Sequence, residues 1–113
     1  MRLKINDNEF MVKIMLTKKD IAEGMMNKKF KSDNHGMLFI MDDGDHHFWM
    51  KNCLIPLDII FIKDNTITAI HHNCKPCKTN DCENYKGSGN YVLELNGNTC
   101  KQYGIKKGDV ITF

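Results

Sequence analysis

The most chemically loaded stretch of the chain is Phe48-Trp49-Met50-Lys51-Asn52, followed closely by Pro56-Leu57-Asp58. Strand alternation puts Phe48, Met50 and Asn52 on one face and Trp49 and Lys51 on the other. An aromatic ring beside an ammonium group, with an amide and a carboxylate nearby, suits a planar or anionic ligand. Trp49, the single tryptophan, can fill the core with its large ring or stack on such a ligand. Asp58 stands among Leu57, Ile59 and Ile60, where a carboxylate needs a partner, because an unpaired buried charge is costly. Lys51, Asn52 or a backbone turn can supply that partner, and the carboxylate is expected to border the best-formed cleft. Glu94, within Tyr-Val-Leu-Glu-Leu (91–95), is a second acid in apolar surroundings and poses the same question. Together Trp49, Lys51, Asn52, Asp58 and Glu94 form the candidate ligand-binding set.

A second cluster runs His71-His72-Asn73-Cys74-Lys75-Pro76-Cys77, then Cys82 and Tyr85. Cys-x-x-Cys with a third cysteine five residues on and adjacent histidines is a set of soft ligands for zinc, with His72, Cys74, Cys77 and Cys82 as the candidates. The second Cys-x-x-Cys of a zinc ribbon is missing, and Gly87 stands where a zinc knuckle would need cysteine. The same residues also read as plain thiols, a loop staple or a redox pair. His46 and His47 read as strand-surface residues.

The elements that must position these side chains are short and mostly β. Residues 10–16 read as a strand, and Thr17 as the cap of a helix over 18–27 that carries Ile21, Ala22, Met25 and Met26 on one face. A lysine-rich connection, 28–35, reads as a solvated loop. Strands follow at 37–41, 46–52, 57–62, 66–72 and 91–95, separated by Asp/Asn/Gly turns such as Asp42-Asp43-Gly44-Asp45. Residues 73–90 hold many turn formers and read as a long loop. One or two helical turns are expected over 96–103, started by Asn96 or Asn98, and a last strand ends at Phe113. The fold class is thus mainly β (α+β): a small, mostly antiparallel, barrel-like single domain over 1–113 with one principal helix near the N-terminus.

The run FWMKNCLIPLDIIFI, with GMLFIM before it and NYVLELN after it, closely resembles the uncharacterised family known as domain of unknown function 192. Thr17 with Glu23-Gly24-Met25-Met26, and Gly104-Ile105 with Gly108-Asp109-Val110, extend the likeness from about residue 8 to 113. The resemblance implies a compact β-rich fold with a short helix and carries no activity. It also implies that Cys77 and Cys82, in a C-x(4)-C-x-x-Y pattern with Tyr85, staple the loop as a disulfide, as in relatives of which some are exported. Cys74 is then peculiar to this chain.

Composition excludes more than it assigns. In 113 residues, 42% are apolar and 27% charged, with a net charge of +2 that is spread without a steep gradient. Arg2 is the only arginine beside 15 lysines, which leaves few guanidinium forks for guanine or phosphate, and no nucleic-acid partner is expected. No apolar run is long enough to cross a bilayer. The first ten residues lack the apolar region of a signal peptide, so a cytoplasmic, monomeric protein is expected. No nucleophile elbow, P-loop, dinucleotide fingerprint or H-E-x-x-H is present. The expectation is a non-catalytic binding module for a small ligand or protein partner, without cofactor. The alternative is a zinc-binding or hydrolytic protein centred on 71–82.

Overall fold

In a computed structural model describing residues 1–113, seven strands and two short helices follow the chain. They are β1 (Arg2–Ile5), β2 (Asn8–Met15), α1 (Lys18–Glu23), β3 (His35–Phe48), β4 (Leu57–Lys63), β5 (Thr66–Cys74), β6 (Tyr85–Asn96), α2 (Thr99–Tyr103) and β7 (Ile111–Thr112). The strands form one sheet in the order β5-β4-β6-β3-β2-β1-β7. All pairings are antiparallel except β2 with β3, whose connection carries α1. The sheet curls until its two ends meet: Thr66, at the start of β5, bridges Val110 just before β7.

Curling gives the sheet two different apolar faces. The inner one collects Leu3, Phe10, Leu38, Ile60, Leu93 and Leu95, drawn from five strands, and is plugged by Cys100 of α2. The outer one, over β3, β4 and β6, holds Phe39, Ile59, Phe61 and Val92 and is covered by Met25, Met50 and Cys53. With both faces covered, the first six residues of β4 are all buried, as expected of a central strand.

Several boundaries differ from the sequence reading, each for a local reason. The helix is shorter than 18–27: Thr17 Oγ1 does accept the Asp20 N–H at 3.0 Å, but Gly24 at φ 45° and Asn27 at φ 59° turn the chain out. The run Asp42-Asp43-Gly44-Asp45 is no reversal. β3 continues through it to Phe48 with a register shift between Ile40 and Gly44. Its partner β6 therefore begins at Tyr85, inside the stretch expected to be loop. The strand expected over 46–52 stops at Phe48, so strand alternation does not govern Trp49, Lys51 and Asn52. β1, not anticipated, pairs with β2 in a tight hairpin.

Candidate functional site

Asp58 and Glu94 sit on neighbouring strands but face opposite ways. In the β4–β6 ladder Asp58 is paired with Leu95, and Ile59 with Glu94. Paired residues share a face, so Asp58 points into the inner side and Glu94 into the outer.

Asp58 is completely buried, and its carboxylate is fully used. Oδ1 accepts the Asn73 N–H at 2.7 Å and the Asn98 N–H at 3.0 Å, and Oδ2 accepts the Cys100 N–H at 2.8 Å. Asn73 and Asn98 both have positive φ, so the carboxylate ties down two tight turns and the first turn of α2. The cap of α2 comes from this acid across the sheet, since Asn98 gives no side-chain cap bond. The expected partner in a backbone turn is present; Lys51 and Asn52 are not among the partners, and Asp58 does not border the cleft.

Glu94 is 3% exposed and has the reverse circumstances. Its carboxyl makes no hydrogen bond or ion pair with the protein, and its oxygens touch the space of a cleft of about 350 Å³. Burial alone pushes the carboxyl up from 4.5 to about 8, so it is mostly protonated at neutral pH. The walls are Phe39, Met41 and Phe48 from β3, Met25 and Met26 after α1, and Trp49, with Gly24 above the acid. A methyl group built on Gly24 would lie 3.4 Å from the Phe39 ring and 3.9 Å from Glu94 Oε1, so the bare glycine keeps the acid's end of the cleft open. Cys53 borders the same space, its thiol raised to about 11 by burial and by the Glu94 charge. Glu23, His46 and His47 also line it, and no lysine or arginine does.

Of the five expected ligand-binding residues, then, Trp49 and Glu94 meet at the cleft. Trp49 is 41% exposed, which removes it from the core, and Lys51 Nζ lies 5.2 Å from its ring centroid. Lys51 also donates to Asn80 Oδ1 at 2.6 Å. Asn52, at φ 60°, is a clamp between two loops: its N–H donates to the Cys77 carbonyl and its own carbonyl accepts the Asn27 N–H, both at 2.8 Å. The Gly24–Met26 wall and His46 and His47 were not expected at the site. The signal available for the wall is the Glu23-Gly24-Met25-Met26 motif, which a helix over 18–27 would hide by placing Met25 and Met26 on one helical face with Ile21 and Ala22.

The zinc candidates do not converge. Cys77 and Cys82 are joined in a disulfide, so neither offers a thiolate. Cys74 is buried with its thiol pushed up to about 12, mainly by desolvation, and donates to the His71 carbonyl at 3.4 Å. His72 is exposed, while His71 lies between the Phe61 and Tyr85 rings. Nowhere do three or more His, Cys, Asp or Glu side chains gather closely enough to hold a metal ion. The cysteine loop instead braces the cleft: the Cys77 N–H donates to the Met50 carbonyl at 3.1 Å, and Lys51 and Cys77 form a parallel bridge beside Trp49.

The likeness in FWMKN, IPLDI and the glycine-methionine motif spans the whole of this architecture: the model of the family described as an uncharacterized ACR matches residues 1–113. The chain belongs to the domain of unknown function 192 family. Two solved structures share the fold. A proposed transcription regulator from Sinorhizobium meliloti 1021 is 32% identical, with a TM-score of 0.86 over 98% of this chain and 89% of that one. A protein of unknown function from Novosphingobium aromaticivorans DSM 12444 is 30% identical, with a TM-score of 0.86 over 99% of this chain and 84% of that one. No curated protein matches the chain. No helix is long and apolar enough to cross a membrane.

Proposed function

We propose that this member of the domain of unknown function 192 family is a non-catalytic binding module that takes a small, largely apolar ligand in the cleft between Gly24–Met26 and the outer face of β3 and β6. The observation that carries the reading is Glu94: a buried carboxyl with no partner in the protein, opening on a cleft walled by aromatic and methionine side chains. Its oxygens open on the cleft, so a ligand group reaching them would gain a hydrogen bond or ion pair that no protein group competes for. The volume of about 350 Å³ falls at the small end of ligand sites, enough for a molecule of roughly ten heavy atoms. Methionines give the wall an adaptable lining. Trp49, half in the cleft and half in solvent, closes its rim.

Because Trp49 is the only tryptophan, its fluorescence reports on the cleft without competition. Titration with benzyl alcohol, followed by Trp49 emission and by backbone amide shifts, should move Gly24–Met26, Phe39, Phe48–Trp49 and Glu94 together and saturate. Perturbations scattered over the surface, or confined to the lysine-lined groove of about 430 Å³ formed with Lys13, Lys28, Lys29 and Lys31, would overturn the reading.

A further inference from the structure

Resting on that reading of the cleft, we infer that its ligand is an organic cation: an ammonium group set against Glu94, with the carbon frame it carries packed on Phe39, Phe48 and Trp49. Three features of the lining point the same way. The buried end of the cleft carries the Glu94 carboxyl, and the second acid on the wall, Glu23, has the same sign. No lysine or arginine lines the cleft, although Lys28 Nζ donates to the Gly24 carbonyl at 3.4 Å and Lys51 Nζ stands 5.2 Å from the Trp49 ring centroid, whereas four lysines line the separate groove on the other side of Met25. Phe39, Phe48 and Trp49 supply ring faces to the remaining wall, and ring faces attract ammonium groups by their quadrupoles, most strongly where water is excluded. An anion could accept a hydrogen bond from protonated Glu94 but would meet Glu23 beside it, and the lysine groove offers it four ammonium groups instead. A neutral acceptor could take a hydrogen bond from protonated Glu94 but would leave the carboxyl's capacity for charge unused.

The inference fixes a proton balance. The free site holds Glu94 as the acid, and the ligand arrives as R–NH₃⁺. The complex holds a carboxylate against the ammonium, and one proton passes to the buffer. The other titratable groups facing Glu94 are Glu23 at the end of α1, His46 and His47 on β3, and Cys53 between β3 and β4. The thiol stays protonated near neutrality.

The test compares benzylammonium, benzyltrimethylammonium, benzyl alcohol and benzoate, read by Trp49 fluorescence and by calorimetry in buffers of different ionisation enthalpy. At about pH 8.5 both cations should bind at least tenfold more tightly than the alcohol. Their affinity should fall by about tenfold per pH unit from about pH 7 to pH 6, because Glu94 must lose its proton to form the complex. Close to one proton should be released per cation bound at about pH 7. Glu94→Gln should remove both the cation preference and the proton release. The wild-type pH profile and proton count test the inference even if that variant does not fold. Alcohol or benzoate binding in the cleft as tightly as the cations, without proton release, would overturn the cation inference and leave the binding module standing. If none of the four perturbs the Glu94 cleft, both fall.

Discussion

Asp58 and Glu94 are two buried acids on adjacent rungs of one ladder, and they teach opposite lessons. Asp58 receives three backbone N–H groups; Glu94 receives none. The sequence context is nearly the same, an acid among Leu, Ile and Val, yet the two lie on opposite faces of the sheet. The inner face closes over Asp58 because the 73–74 and 97–100 turns bring their N–H groups to it. The outer face is roofed by side chains and by Gly24, none of which donates to Glu94. One acid is a piece of the fold. The other is a cost that the fold carries without internal compensation, and a bound partner is the account that gives that cost a use.

Breaking Asp58 should have the largest effect. Asp58→Ala removes the acceptor of three backbone donors, one buried and two part-buried, and should cost about 3–5 kcal/mol, a large share of the stability of a domain of this size and readable by urea titration. Asp58→Asn keeps an acceptor for the turns but sets an NH₂ or a poor acceptor against one donor, so a loss of about 2–3 kcal/mol is expected. Should Asp58→Ala prove nearly neutral, the contrast between the two acids would collapse.

Glu94 should show its cost as a pH dependence. Its folded value lies above its ordinary one, so the folded state holds the proton more tightly. Stability tied to this group is therefore fully present below about pH 4.5 and is lost as pH rises toward about 8, by up to about 1.4 kcal/mol per unit. Glu94→Gln cannot ionise, and between about pH 5 and 8.5 it should gain on the wild type by on the order of 4 kcal/mol. Parallel melting-temperature profiles for the two proteins would contradict this.

The disulfide should matter less. Replacing Cys77 and Cys82 together by serine opens a loop of five-residue separation, worth about 2 kcal/mol in chain entropy, and both apolar clusters lie outside it. The double variant should fold, with weaker ligand binding because the loop braces the Trp49 segment. Smallest is Lys51→Ala: an exposed cation–π contact contributes about 0.5–1 kcal/mol, and Trp49 emission should shift more than the melting temperature does.

How much of this was legible beforehand depends on whether the determinant was local. The β-rich class, the Thr17 cap, the continuous apolar run of β4 and the need for a partner at Asp58 follow from residue type and period. The cysteine pairing came with the family likeness, and the disulfide is present. What could not be read was set by contacts distant in sequence. Gly44 continues a strand instead of ending it because Gly89 of β6 lies opposite. Lys51 and Asn52 do not line this cleft, because β3 ends at Phe48 and Asn52 turns the chain at φ 60°. Glu94 was singled out, but which of the two acids would be left unpartnered depended on the curl of the whole sheet. The Gly24–Met26 wall carried a sequence signal that a longer helix obscured.

The central claim is that Glu94 is a proton-holding carboxyl open to the cleft, and the side-chain carboxyl carbon resonance of Glu94 tests it most directly. Followed from about pH 4 to 10, the account expects a midpoint near 8 in the free protein, moving downward when benzylammonium is bound. A midpoint near 4.5, unmoved by the cation, would mean that the carboxyl is solvated or paired and would contradict it.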